Sequence, residues 1–221
     1  MAATRFVTTR RVAAGVVLTL TIGMLAVATS VCDADDVLVA AGERWWSISP
    51  DRSNPVACAT CHHEADETRG WAASFPKFRP LPPPDARVMT LLQANAEAVR
   101  RHYRLVDPLP AATAITAYLA SRGAAVLPSP GLVAGQPVFP GRLRALDESV
   151  ARGRRRFARR CAACHDAGAI RVAVASFPRI SGRGPESLEA FIERHAAPLP
   201  WDSPAMADVV SYLVSQRAAR P

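Results

Sequence analysis

Two short stretches of this chain carry cysteine and histidine at a spacing that suits one kind of chemistry. Cys161-Ala162-Ala163-Cys164-His165 is matched by an earlier Cys58-Ala59-Thr60-Cys61-His62. In each, two thiols three residues apart lie on one face of a helical turn,. Each thiol can add to one vinyl group of a haem and leave a thioether. The histidine directly after the second cysteine then points its imidazole at the iron as the proximal ligand. Cys-x-x-Cys-His is the attachment sequence for such a group. A single copy has a plainer reading, as a redox dithiol or half a zinc site followed by a histidine. Two copies with matching flanks favour haem. The expectation is two covalently bound haem c groups on Cys58, Cys61, Cys161 and Cys164, with His62 and His165 as proximal ligands.

The sixth position of each iron decides what the centres can do. The chain has five histidines, and beyond His62 and His165 these are His63, His102 and His195. His102 closes Ala98-Val99-Arg100-Arg101-His102, and His195 closes Phe191-Ile192-Glu193-Arg194-His195; each ends a predicted helix. Tyr118 follows His102 by 16 residues and Tyr212 follows His195 by 17. A lone helix-end histidine is explained by the helix dipole. Two at equivalent places in a repeat are expected to be the distal iron ligands, giving bis-histidine centres. Methionine is the competing ligand. Met206 sits inside the last predicted helix and reads as core filler; Met89 has no repeat partner and stands in reserve. His63, adjacent to a proximal ligand, is expected to be exposed.

The elements that must position these residues repeat as well. Gly42 stands four residues before Trp46 in a helical pattern over Val37–Trp46, and Gly153 stands four before Phe157 within Asp147–Arg160. A glycine on one helix face admits a second helix closely, and the aromatic one turn later packs beside it. Each unit ends in a helix with Tyr-Leu: Leu109–Arg122 contains Tyr118-Leu119, and Asp202–Arg217 contains Tyr212-Leu213. Asp202 or Ser203 followed by Pro204 is a helix start. Ser74-Phe75-Pro76-Lys77-Phe78 and Ser176-Phe177-Pro178-Arg179-Ile180 follow their motifs at almost the same distance. They read as a shared turn, which does not exclude a place on the haem wall. This order of elements resembles the cytochrome c fold, in which the first and last helices cross near the haem. The resemblance implies an all-α chain of two tandem cytochrome c-like haem domains, residues 36–123 and 144–221. Residues 124–143, rich in proline and glycine, are expected to be an extended linker over the surface.

The first thirty residues read as an export signal: a basic stretch from Thr4 to Arg11, an apolar run from Val12 to Val27, and a small-x-small cleavage pattern at Ala26-Val27-Ala28,. The expectation is a signal peptide over 1–30 and a periplasmic protein. A membrane anchor is the alternative if the segment is not cleaved. Cys32, the odd cysteine, is expected to lie in a linker near the new N-terminus or to leave with the signal. With 221 residues, 49% hydrophobic, the chain can bury a core,. The formal charge is +8 and Lys77 is the only lysine. No nucleic-acid motif accompanies that charge, so nucleic acid is not an expected partner.

A narrower resemblance rests on the tandem units, the Ser-Phe-Pro segment and the Ser187-Leu188-x-x-x-Ile192 helix ending at a ligand position. Together these look like the di-haem cytochrome subunit of the bacterial sulfur-oxidising (Sox) system and the similar thiosulfate dehydrogenases. Those families place a distal cysteine at the helix end, where sulfur chemistry occurs. This chain has His102 and His195 there and no cysteine after Cys164. The expected function is therefore electron transfer between redox protein partners rather than catalysis. The alternatives are a haem subunit of a sulfur-compound oxidoreductase or a peroxidase-like enzyme. Either needs a distal ligand that opens, and no acid–base constellation stands beside either motif.

Overall fold

Helices carry most of the chain. The computed structural model describes residues 34–63, 68–82, 85–124, 126–133, 135–165, 179–180, 184–195 and 199–218. The expected signal segment, Cys32 and Ser176-Phe177-Pro178 lie outside the described residues. In chain order the helices are α1 (Ala34–Ser47), α2 (Cys58–Cys61), α3 (Trp71–Ser74), α4 (Leu91–Tyr103), α5 (Leu109–Arg122), α6 (Pro140–Arg160), α7 (Ala162–His165), α8 (Leu188–His195) and α9 (Pro204–Ala218). Two short antiparallel hairpins interrupt them among the described residues: β1 (Lys77–Arg79) with β2 (Arg87–Met89), and β3 (Arg179–Ile180) with β4 (Gly184–Pro185).

Each half is built on one tight helix crossing. At Gly42, α1 meets α5 so closely that a Cβ there would overlap the Ala114 carbonyl oxygen and stand 2.8 Å from Tyr118 Cβ. At Gly153, α6 meets α9 in the same way: a Cβ would overlap the Asp208 carbonyl oxygen and stand 2.9 Å from Tyr212 Cβ. Only glycine lets two backbones approach like this. The second crossing carries a polar lock. The buried Asp208 carboxylate accepts from Ser149 Oγ at 2.8 Å and from Arg152 Nε at 3.1 Å, and Arg156 lies 3.6 Å away.

Apolar clusters fill both halves. Trp46, Phe75, Leu91, Val99, Tyr103, Ile115 and Leu119 are buried in the first. Leu188, Ile192, Leu199, Met206, Val209, Val210 and Leu213 are buried in the second. Residues of the two halves also pack against one another. Trp201 covers a small cluster of Leu92, Ala96 and Ala112. Gln93 Nε2 donates to the carbonyls of Trp201 and Ser203 at 2.9 and 3.0 Å.

The segment expected to be an extended linker includes the start of a helix. α6 begins at Pro140, inside that segment, because proline suits the first helical position,. Before it the chain is tied down: Ser129 N donates to Ala73 O at 2.8 Å and Gly131 N to Ser74 O at 2.9 Å. Gly131 turns there at φ 77°, in the left-handed region,. The connector is thus strapped along the first half by backbone hydrogen bonds.

Candidate haem centres

In the first half, Cys58 and Cys61 open and close the single turn of α2, and the His62 amide donates to Cys58 O at 3.0 Å. Tyr103, the last residue of α4, holds this turn in place. Its hydroxyl donates to Trp45 O at 2.7 Å, accepts from Cys58 N at 3.2 Å and lies 3.3 Å from Cys58 Sγ. Burial raises the Tyr103 pKa and keeps the phenol neutral. Burial also raises the Cys58 thiol, with the Tyr103 hydrogen bond acting the other way. Cys161 is raised by burial too, opposed by the charge of Arg160. Among the described residues no three His, Cys, Asp or Glu side chains converge on a metal position.

A cavity of about 460 Å³ opens beside α2, within the range of roughly 300–1,000 Å³ usual for cofactor sites,. Cys58, Cys61 and His62 line one part of it. From α4 it receives Leu91, Ala94, Asn95, Ala98, Val99 and His102, a succession at helical spacing that forms one face,. Thr90 caps that helix, accepting from Gln93 N at 3.3 Å while Gln93 Oε1 accepts from Thr90 N at 3.2 Å,. The alanines leave room, and His102 stands at the helix end. The fold thus brings His62 and His102, 40 residues apart in sequence, to one cavity. His62 is packed by Trp71, edge-on with ring centres 4.6 Å apart, and by Trp46 at 6.0 Å.

The second half repeats the arrangement. Phe157 stands where Trp46 stands, with its ring 6.3 Å from His165 and 5.3 Å from Tyr212; Trp46 is 6.1 Å from Tyr118. The His165 amide again donates to the carbonyl of the first cysteine, Cys161, at 3.0 Å. The rings of His165 and His195 lie 6.1 Å apart at 68°. Two imidazoles sharing one metal through bonds of about 2 Å would have ring centres roughly 6 Å apart. His195 stacks on Phe191 at 5.2 Å. His165 Nδ1 is buried and finds no hydrogen-bond partner among the described residues. The residues present therefore fit a haem held covalently between two histidines.

Other candidates fall elsewhere. Met206 is fully buried in the second apolar cluster. Met89 is buried at the end of β2 and lines a 140 Å³ cavity that shares Arg79, Ala94, Ala98 and His102 with the one that holds Cys58 and His62. His63 is exposed. Phe75 and Lys77 of the first Ser-Phe-Pro segment do line the haem-sized cavity. Tyr103 and Arg79 carry no motif signal, and sequence reasoning missed both. The one clue to Tyr103 was its helical phase, four residues after the apolar Val99.

No family model matches this chain, and no curated protein matches it.

Proposed function

We propose that this chain is an exported di-haem c-type cytochrome that passes electrons between redox protein partners. Thioethers form at Cys58 and Cys61 and at Cys161 and Cys164, and each iron is held between two histidines, His62 with His102 and His165 with His195. The observation that carries this reading is the duplicated set of proximal histidine, aromatic and tyrosine at a glycine crossing, with a second histidine facing each site. A bound haem supplies a one-electron centre whose potential is set by its axial ligands, burial and neighbouring charges.

The protein's own part is to orient, exclude water and close the metal. Trp46, Trp71, Phe75, Val99 and Ile115 give the first site apolar walls. Tyr103 holds Cys58 where its sulfur must be. Two imidazole ligands leave no position for a substrate, and among the described residues no Asp or Glu lines the first cavity to move protons. Those features favour electron transfer over sulfur-compound oxidation or peroxidase chemistry. The periplasm is the proposed location, with a mature N-terminus between Thr29 and Asp35.

The test is spectroscopic. The purified protein should carry two covalent haems by mass, lack a methionine–iron charge-transfer band, and show low-spin iron only. His195→Ala should turn one haem high-spin and leave the other alone; His102→Ala should do the converse. If both variants keep wild-type spectra, the ligand assignment is wrong.

A further inference from the structure

Among the described residues, nothing on the wall of the first cavity balances two positive charges that line it. Lys77 and Arg79 stand at alternate positions of β1, so their side chains leave the same face of the strand,. Both line the cavity. Lys77 is half-buried; its Nζ donates to Ser74 Oγ at 2.9 Å and lies 4.4 Å from the centre of the Phe75 ring. Burial lowers its pKa to about 8, and the charge of Arg79 pushes the same way. Arg79 is exposed at the cavity mouth, and partial desolvation of its guanidinium still lowers its pKa. Neither has a carboxylate partner among the described residues, and no Asp or Glu lines the cavity. Of the arginines nearby, Arg87 pairs with Asp85 at 3.9 Å and Arg100 with Asp202 at 3.7 Å, while Arg142, which lines a smaller cavity with Lys77 and Arg79, lies over the Phe139 ring. Two like charges side by side against an apolar wall are unfavourable without an anion.

We propose that Lys77 and Arg79 form an anion site for the propionate carboxylates of the haem in the first cavity. The proposal rests on the haem reading above. Thioethers to Cys58 and Cys61 form at the vinyl groups, which leaves the two carboxylates to be held by other residues. Arg79 presents a planar fork suited to a carboxylate, and Lys77 a compact charge. The second unit has a cation at the matching position of its own repeat, Arg179 after Ser176-Phe177-Pro178. The pair also gives the first haem's surroundings a positive charge, which favours the reduced iron.

The experiment uses the purified di-haem protein. Redox potentiometry is run from about pH 5 to pH 9, a window that brackets carboxylate and histidine titration, on wild type, Lys77→Met, Arg79→Leu and Lys77→Arg. In wild type the carboxylates stay ionised and the potential of the first haem is flat from about pH 5 to about pH 7, below the value of about 8 to which burial lowers Lys77,. In Lys77→Met and Arg79→Leu one redox step shifts downward and becomes pH-dependent, because a carboxylate that loses its cation takes up a proton at higher pH; the other step stays put. Lys77→Arg restores wild-type behaviour. Covalent haem content by mass shows that each variant has matured.

The outcomes separate cleanly. A wild type without haem overturns the haem reading, and this proposal with it. Haem-loaded variants that titrate like wild type overturn this proposal alone. So does a wild type whose first redox step moves on adding sulfate or thiosulfate, since the pair would then be open to solution anions.

Discussion

Replacing Gly42 or Gly153 by alanine should destabilise the chain through the two helix crossings. A Cβ on Gly42 would overlap the Ala114 carbonyl oxygen and lie 2.6 Å from its carbon and 2.8 Å from Tyr118 Cβ. On Gly153 the corresponding distances are 2.6 Å to the Asp208 carbonyl carbon and 2.9 Å to Tyr212 Cβ. Carbon atoms pack best at about 3.5–4.0 Å, so each crossing must open by roughly 1 Å. The opposing atoms are backbone and cannot swing aside. Overpacking of this kind costs about 1–3 kcal/mol, sometimes more. Alanine returns about 1 kcal/mol of helix propensity, so the net loss should be about 0–2 kcal/mol, and more where the overpacking cost exceeds that range. For a chain of this size a loss of about 2 kcal/mol lowers Tm by roughly 4–8 °C. Gly141 is the control. It lies in the first turn of α6, and a Cβ added there would meet nothing within 4 Å, so Gly141→Ala should be neutral or stabilising by up to about 1 kcal/mol. Thermal unfolding of the three variants beside wild type is the assay. If Gly42→Ala and Gly153→Ala match Gly141→Ala, the helices do not cross this closely and the argument fails.

Two further substitutions probe buried charge. Glu189 is buried between the two halves; burial raises its pKa above 4.5, opposed by hydrogen bonds from Thr90 and Ser187, and among the described residues no other ionisable side chain lines the cavity there. A raised folded pKa means that its contribution is fully present below the unfolded value near 4.5 and is lost as pH rises through the folded one,. Glu189→Gln should therefore match wild type in acid and exceed it at neutral pH in denaturant unfolding; a variant weaker at neutral pH would contradict this. Asp208→Asn removes the anion that Ser149 and Arg152 hold at the second crossing. Both arginines near it are well exposed and can rehydrate, so the loss should be only roughly 1–2 kcal/mol. It should shrink in high salt; an unchanged loss would point to packing instead.

Local spacing was enough to place much of this design. Cys58, Cys61 and His62 belong to one turn and its exit, and so do Cys161, Cys164 and His165; no distant contact is needed to bring them together. Helical period likewise put Gly42 and Trp46 on one face and Gly153 and Phe157 on another, and it marked His102 and His195 as helix ends. What period cannot say is which faces meet. Tyr103 reaches Cys58 across 45 residues, and Lys77 and Arg79 reach the cavity only because β1 pairs with β2 beside α4. The prolines of the connector suggested an extended segment over the surface, but not that its amides would find the carbonyls of Ala73 and Ser74. Glu189 and Thr90 face one another because two helices, one capped by Thr90 and the other by Ser187, start at the same buried junction. Pattern along the chain determines which residues act together within an element. The packing of elements far apart in sequence decides which of those sets share a cavity, a charge or a hydrogen bond.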